Sequence, residues 1–148
     1  MPASNYLLHF WDEQCQVFLQ NLALVRKRPV KKAVHDIRVS IKKLKSSLQF
    51  ANTIKPAEDD LAFDSIQLFF LVSGKFRDVD MSLSLLRKTG REEKIDIPAF
   101  RNALLSMLSI TRSNSKAAAA GPLEEELMSV TGQLRSQLEV LTDETLDQ

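Results

Sequence analysis

Lys31, His35, Arg38, Lys42, Lys45 and Gln49 recur at intervals of three and four residues, a spacing that places them on one face of a helix. At 1.5 Å per residue the row is about 27 Å long. Its chemistry is anion binding. Arginine offers a planar fork of donors, lysine a compact charge, and histidine a ring N–H that binds more strongly once protonated, near an ordinary pKa of about 6.5. From Arg26 to Lys45 there are nine basic residues and one acid, Asp36. Like charges at this spacing repel by roughly a few tenths of a kcal/mol per pair, so the row calls for relief. A polyanion would supply it through charge-assisted hydrogen bonds. So would an acidic partner, and the stretch from Ala117 to Gln148 holds seven acids against one base, Arg135. A merely solvated face is the third reading.

His35 has other chemistry open to it. A metal site would draw on His9 alone as a second imidazole, with no compact His–acid motif around it. A general base would need a nucleophile or paired carboxylates that the sequence does not provide. Anion binding through one ring nitrogen, and a structural hydrogen bond to a neighbouring helix, both stand.

A second cluster, Ser73-Gly74-Lys75-Phe76-Arg77-Asp78, lies inside another helical stretch. Glycine in a helix costs about 1 kcal/mol relative to alanine, so its missing side chain should permit a close helix crossing or the close approach of a ligand. Arg77 follows Phe76 as Arg38 follows Ile37, which puts both cations beside the core at a groove between helices. Asp78 is expected to hold one of these guanidinium groups in place or to form a local salt bridge.

Five apolar stripes of helical period must position these residues. The first predicted helix covers 5–26, capped by Ser4 or Asn5, with Leu7, Trp11, Phe18, Leu22 and Val25 inside and Cys15 filling the gap between Trp11 and Phe18. Pro29 breaks it. The second, over 29–53, buries Val34, Ile37, Ile41, Leu44, Leu48 and Ala51. The basic row is centred roughly 110° around from that stripe and therefore borders the buried side. A long third helix is predicted over 58–88, opened by Glu58, Asp59 and Asp60 and closed at Thr89-Gly90. Its stripe is Ala62, Ser65, Phe69, Val72, Phe76, Val79, Leu83 and Leu86, widened by Ile66, Leu68, Phe70 and Leu71. A fourth helix enters at Pro98 and buries Phe100, Leu104, Met107, Leu108 and Thr111. Residues 113–121 read equally as helix or connection. The fifth, over 122–141, has an acidic first turn and the stripe Leu123, Leu127, Val130, Leu134, Leu138 and Leu141.

The fold class predicted is all-α, an antiparallel bundle of about five helices with the two central ones longest, in a single domain over 1–148. At 148 residues, 44% hydrophobic and 26% charged, the chain has the composition to bury a core. One cysteine excludes an internal disulfide and a cysteine-rich zinc site. No run reaches the roughly 18 apolar residues of a membrane span, and the opening residues lack an export leader, so the setting expected is cytoplasmic.

The segment Val34-His35-Asp36-Ile37-Arg38-Val39-Ser40-Ile41-Lys42-Lys43-Leu44-Lys45 resembles the first signature of CHAD domains, the conserved-histidine α-helical domains: a histidine, an arginine three residues on, a basic doublet, leucine and another basic residue. Ser73-Gly74-Lys75-Phe76-Arg77-Asp78-Val79-Asp80 resembles their second signature, a glycine followed by arginine–aspartate in the next long helix. The resemblance covers 6–86. It implies an all-helical fold with a basic cavity for inorganic polyphosphate. His35, Arg38, Lys42, Lys43, Lys45 and Arg77 match the family's basic positions, and Gly74 and Asp78 its structural pair. Members usually carry two related halves facing one another, whereas this chain carries one; a homodimer that restores the second basic wall is expected, the alternatives being a monomer with a shallow groove and a relative that no longer binds polyphosphate.

The function expected is non-catalytic polyphosphate binding by Lys31, His35, Arg38, Lys42, Lys45 and Arg77, with Lys43 about 100° away from Lys42 at the outer edge. The runner-up is a structural or regulatory protein docking an acidic protein surface. Nucleic acid ranks third, because no aromatic residue interrupts the row to stack on bases. An enzyme ranks last, and no cofactor, metal or catalytic residue is predicted.

Overall fold

The computed structural model describes residues 3–54, 61–94 and 97–146. They form α1 (Ala3–Lys27), α2 (Lys31–Ile54), α3 (Ser65–Glu93), α4 (Pro98–Ala119) and α5 (Leu123–Leu146), with no strand among the described residues. The helices pair as two hairpins, α1 on α2 and α3 on α4, and α5 packs across α1, α2 and α3. Side-chain bonds fix the directions. Trp11 Nε1 donates to Thr131 Oγ1 at 2.9 Å and Arg26 pairs with Glu124, so α1 and α5 run antiparallel. Arg135 adds two bonds to Asp12 at 2.7 and 2.8 Å on the same seam.

The main core draws on all five helices, through Trp11 and Phe18, Ile37 and Ile41, Phe69 and Phe76, Ala119, and Leu123 and Leu134. The α1, α2 and α5 stripes face it as the spacing predicts, although the side chain of Leu141 lies outside the described residues. Cys15 is half-buried and packs against this core. Burial pushes its thiol pKa up to about 11, only partly opposed by Thr131 and Arg135. The thiolate is the reactive form, so Cys15 should alkylate far more slowly at pH 7.5 than a free thiol of pKa about 8.5, and at an ordinary rate in denaturant. Timed labelling with iodoacetamide and mass spectrometry checks this.

Several boundaries depart from expectation. The third helix begins at Ser65, since residues 61–64 are not helical and exposed Ala62 is not on its stripe; Glu58, Asp59 and Asp60 lie outside the described residues. The negative charge at its start comes from another helix. Glu126 of α5 accepts from the Ser65 and Ile66 backbone N–H groups at 2.8 and 2.9 Å, satisfying two donors that Asp64 leaves uncapped. Glu126→Ala should lower unfolding free energy by about 1–2 kcal/mol in urea titrations, as the loss of a cap does. The third helix also runs through Thr89-Gly90 to Glu93 and stops at Lys94, whose left-handed φ of 53° makes the C-cap. Its 29 residues make it the longest helix, but α2 with 24 is no longer than α1 with 25. Residues 113–119 continue α4.

Beyond the main core the α3–α4 hairpin extends as a two-helix arm with its own small core of Val79, Leu83 and Leu104, flanked by Leu86 and Leu108. Two helices bury a narrower sector than a bundle does. Phe100 and Met107, expected inside, are therefore exposed, as are Leu68 and Leu71 on α3.

Candidate functional site

Arg38 leaves α2 beside buried Ile37 and crosses onto α3. Its Nη1 donates to the Phe70 carbonyl and to Ser73 Oγ, the latter at 3.2 Å, and its guanidinium carbon sits 4.0 Å from the centre of the Phe70 ring. A Cβ on Gly74 would stand 3.0 Å from Nη1 and 3.2 Å from Nη2. The glycine in mid-helix is thus explained: it makes room for the guanidinium of the neighbouring helix. Burial holds the Arg38 pKa below its ordinary value, the charge of Arg77 adds to this, and Asp78 opposes it. A guanidinium so placed stays protonated at neutral pH. With Nη1 engaged, the Nε–Nη2 edge is the fork left for a carboxylate or phosphate.

Lys45, two turns along α2, donates to Gln67 Oε1 at 2.6 Å and lies 5.6 Å from the Phe70 ring. Arg38 and Lys45 therefore both contact Phe70 and are both half-buried in the α2–α3 seam. Lys31, His35 and Lys42 stand outside it, exposed. Lys31 and His35 meet half-buried Arg77 around a cleft of about 190 Å³, floored by Val34 and Phe76 and edged by Asp80 and Met81. The row borders the core, as its angle predicts, and its basic residues divide into two that anchor and three that face outward.

Lys43 is not part of this arrangement. It is exposed at a cleft of about 650 Å³ between α1 and α2, with Lys32 and Asp36 nearby and His35 shared with the site, because one residue step turns it some 100° from Lys42. Nor does Asp78 hold a guanidinium. It is exposed and, among the described residues, forms no hydrogen bond or ion pair, acting on Arg38 only through space. The Phe70 carbonyl and Ser73 take the place expected for it.

Two acids of the first turn of α5 are engaged away from the row. Glu124 pairs with Arg26 and Glu126 caps α3. Among the described residues no acid pairs with Lys31, His35, Arg38, Lys42, Lys45 or Arg77. No group of three or more described His, Cys, Asp or Glu residues could hold a metal. Among those residues no helix is long and apolar enough to cross a membrane.

Gln67, Phe70 and Ser73 were not singled out by their types as site residues. Gln67, Phe70, Gly74 and Arg77 do follow one another at three and four, the same period as the α2 row they face. That second period was the available signal. No family model, curated protein or solved structure matches the chain.

Proposed function

We propose that the α2–α3 seam binds linear inorganic polyphosphate, or a polyanion of similar charge density, without catalysing a reaction on it. The observation that carries this is a row of basic residues that, among the described residues, forms no ion pair with an acid, while two of its members are fixed against α3. Pre-set cations lose less conformational entropy on binding than free ones. Lys42 and His35 lie outward of Arg38, so successive phosphates of one chain can meet lysine, arginine and histidine in turn. Lys31, His35 and Arg77 then receive the chain at the cleft beyond. The likeness of these two segments to the CHAD signatures supports phosphate over other anions.

Phe70 bears on the nucleic-acid alternative. It is the aromatic ring at the row, but Arg38 covers its face, so it offers no platform for a base. Duplex competitors at equal phosphate concentration should bind more weakly than polyphosphate.

Titration with polyphosphates of graded length tests the reading. Affinity per molecule should rise with length until the chain spans the row, about 27 Å. The slope of log K against log salt should approach one counterion for each phosphate neutralised. Binding that is absent at low salt, or indifferent to length, overturns it. Indifference to length together with a stable complex with an acidic protein would favour the docking alternative.

A further inference from the structure

We propose that the cleft at the end of the basic row reads the terminus of the polyphosphate chain, with Asp80 accepting a hydrogen bond from the hydroxyl of a terminal phosphate. This rests on the polyphosphate reading and adds which part of the ligand sits where. The α2–α3 contacts run in opposite order along the two helices. Lys45 meets Gln67, Arg38 meets Phe70 and Ser73, and Lys31 and His35 share the cleft with Arg77, Asp80 and Met81. Asp80 and Met81 therefore lie beyond Arg77, where the row stops. The cleft, about 190 Å³, sets one carboxylate against three basic groups, Lys31 and His35 from α2 and Arg77 from α3. Asp80 is half-buried, yet among the described residues it forms no hydrogen bond or ion pair, not even with Arg77 one turn before it. An acceptor held near three donors without pairing to them leaves room for a group that serves both.

Within a polyphosphate only the end is such a group. Internal phosphates are strongly acidic and at neutral pH present acceptor oxygens alone. A terminal phosphate has a second ionisation, at a pKa of about 6 as in a phosphate monoester, and below it keeps one O–H among its free oxygens. Its acceptor oxygens suit Lys31, His35 and Arg77, and its hydroxyl suits a carboxylate, which can only accept. An internal phosphate in the same place would bring no hydrogen to Asp80, only like charge, and its chain would have to continue past the acid. With the end seated in the cleft, the rest of the chain runs back along Arg38 and Lys42 toward Lys45.

The test compares polyphosphate of one length with the same chain carrying a methyl ester on each terminal phosphate, which removes the hydroxyl. Isothermal titration at a pH of about 5.5 should show the free-ended chain binding roughly tenfold more tightly, the contribution of one charge-assisted hydrogen bond. That ratio should shrink as the pH rises to about 8.5, because the hydroxyl ionises and the dianion meets Asp80. The charge His35 loses over this range acts on both ligands alike. In Asp80→Ala the ratio should fall to about one at the lower pH and grow as the pH rises, because the second terminal charge then faces Lys31 and Arg77 with no acid beside them. Equal binding of the two chains by the native protein, or a low-pH preference that survives Asp80→Ala, overturns the end reading and leaves polyphosphate binding in place. Binding of neither chain at low salt overturns the polyphosphate reading and the end reading with it.

Discussion

Gly74→Val is expected to unseat Arg38 and, through it, to weaken both the fold and the site. Even a methyl group at this position would meet Nη1 at 3.0 Å, and the branched side chain reaches further into the space the guanidinium fills. Arg38 would lose its bonds to the Phe70 carbonyl and Ser73, and its stacking on the Phe70 ring. Hydrogen bonds from a charged group are worth about 1.5–3 kcal/mol, and valine returns a few tenths through helix propensity. Unfolding free energy should fall by about 2 kcal/mol in urea. Polyphosphate should bind about tenfold more weakly, a change of about 1.4 kcal/mol. A double-mutant cycle isolates the cause. Arg38→Met should cost much less in the Gly74→Val background than in the native chain, because the contacts are already lost. Additive losses would show that Gly74 serves something other than Arg38.

Neutralising the outward cations should do the opposite to stability. Lys31, His35 and Lys42 are exposed and make no ion pair among the described residues, so replacing all three with glutamine removes repulsion and leaves no partner stranded. Unfolding should be unchanged or shifted slightly toward greater stability. Polyphosphate affinity should fall by about a hundredfold at low salt, and the slope of log K against log salt should decrease by about 2 to 3, one for each contact removed. Isothermal titration at several salt concentrations reads both quantities. Lys32, Lys43 and Arg28, replaced together, are the matched control. They remove at least as much charge from the same part of the chain but away from the α2–α3 seam, and the loss should be much smaller.

The contrast between these two sets reflects what a sequence can and cannot display. The α2 row was legible because its members share one helix, and its angle from Val34, Ile37 and Ile41 placed it at the edge of the core. Arg38 and Lys45 could not be told apart from Lys42 on that basis. Their roles depend on Phe70, Ser73 and Gln67 of another helix, and helical period says nothing about which neighbour arrives. The same limit explains α3. Its start at Ser65 is set by Glu126, some sixty residues away in the chain, so the nearby acids at 58–60 were a misleading local signal. On α4 the expected stripe holds only in part, because a period cannot report whether a neighbouring helix covers it. Leu104 and Leu108 pack on α3, while Phe100 and Met107 do not. Asp78 shows the converse error. Its place in the second cluster suggested that it holds Arg38 or Arg77, and for Arg38 the backbone carbonyl of Phe70, which no side-chain motif reveals, took that role.

The central claim is that the polyanion lies along the α2–α3 seam. The most direct test is an NMR titration of labelled protein with polyphosphate, following backbone amides together with the Arg38 and Arg77 Nε–H signals. The largest shifts should fall on Lys31, His35, Arg38, Lys42 and Lys45 of α2 and on Gly74 and Arg77 of α3, with α5 and the α1–α2 cleft around Lys43 little changed. Shifts centred on Lys32, Lys43 and the α1 wall of that cleft or on the α3–α4 tip, or none at saturating polyphosphate, would contradict it.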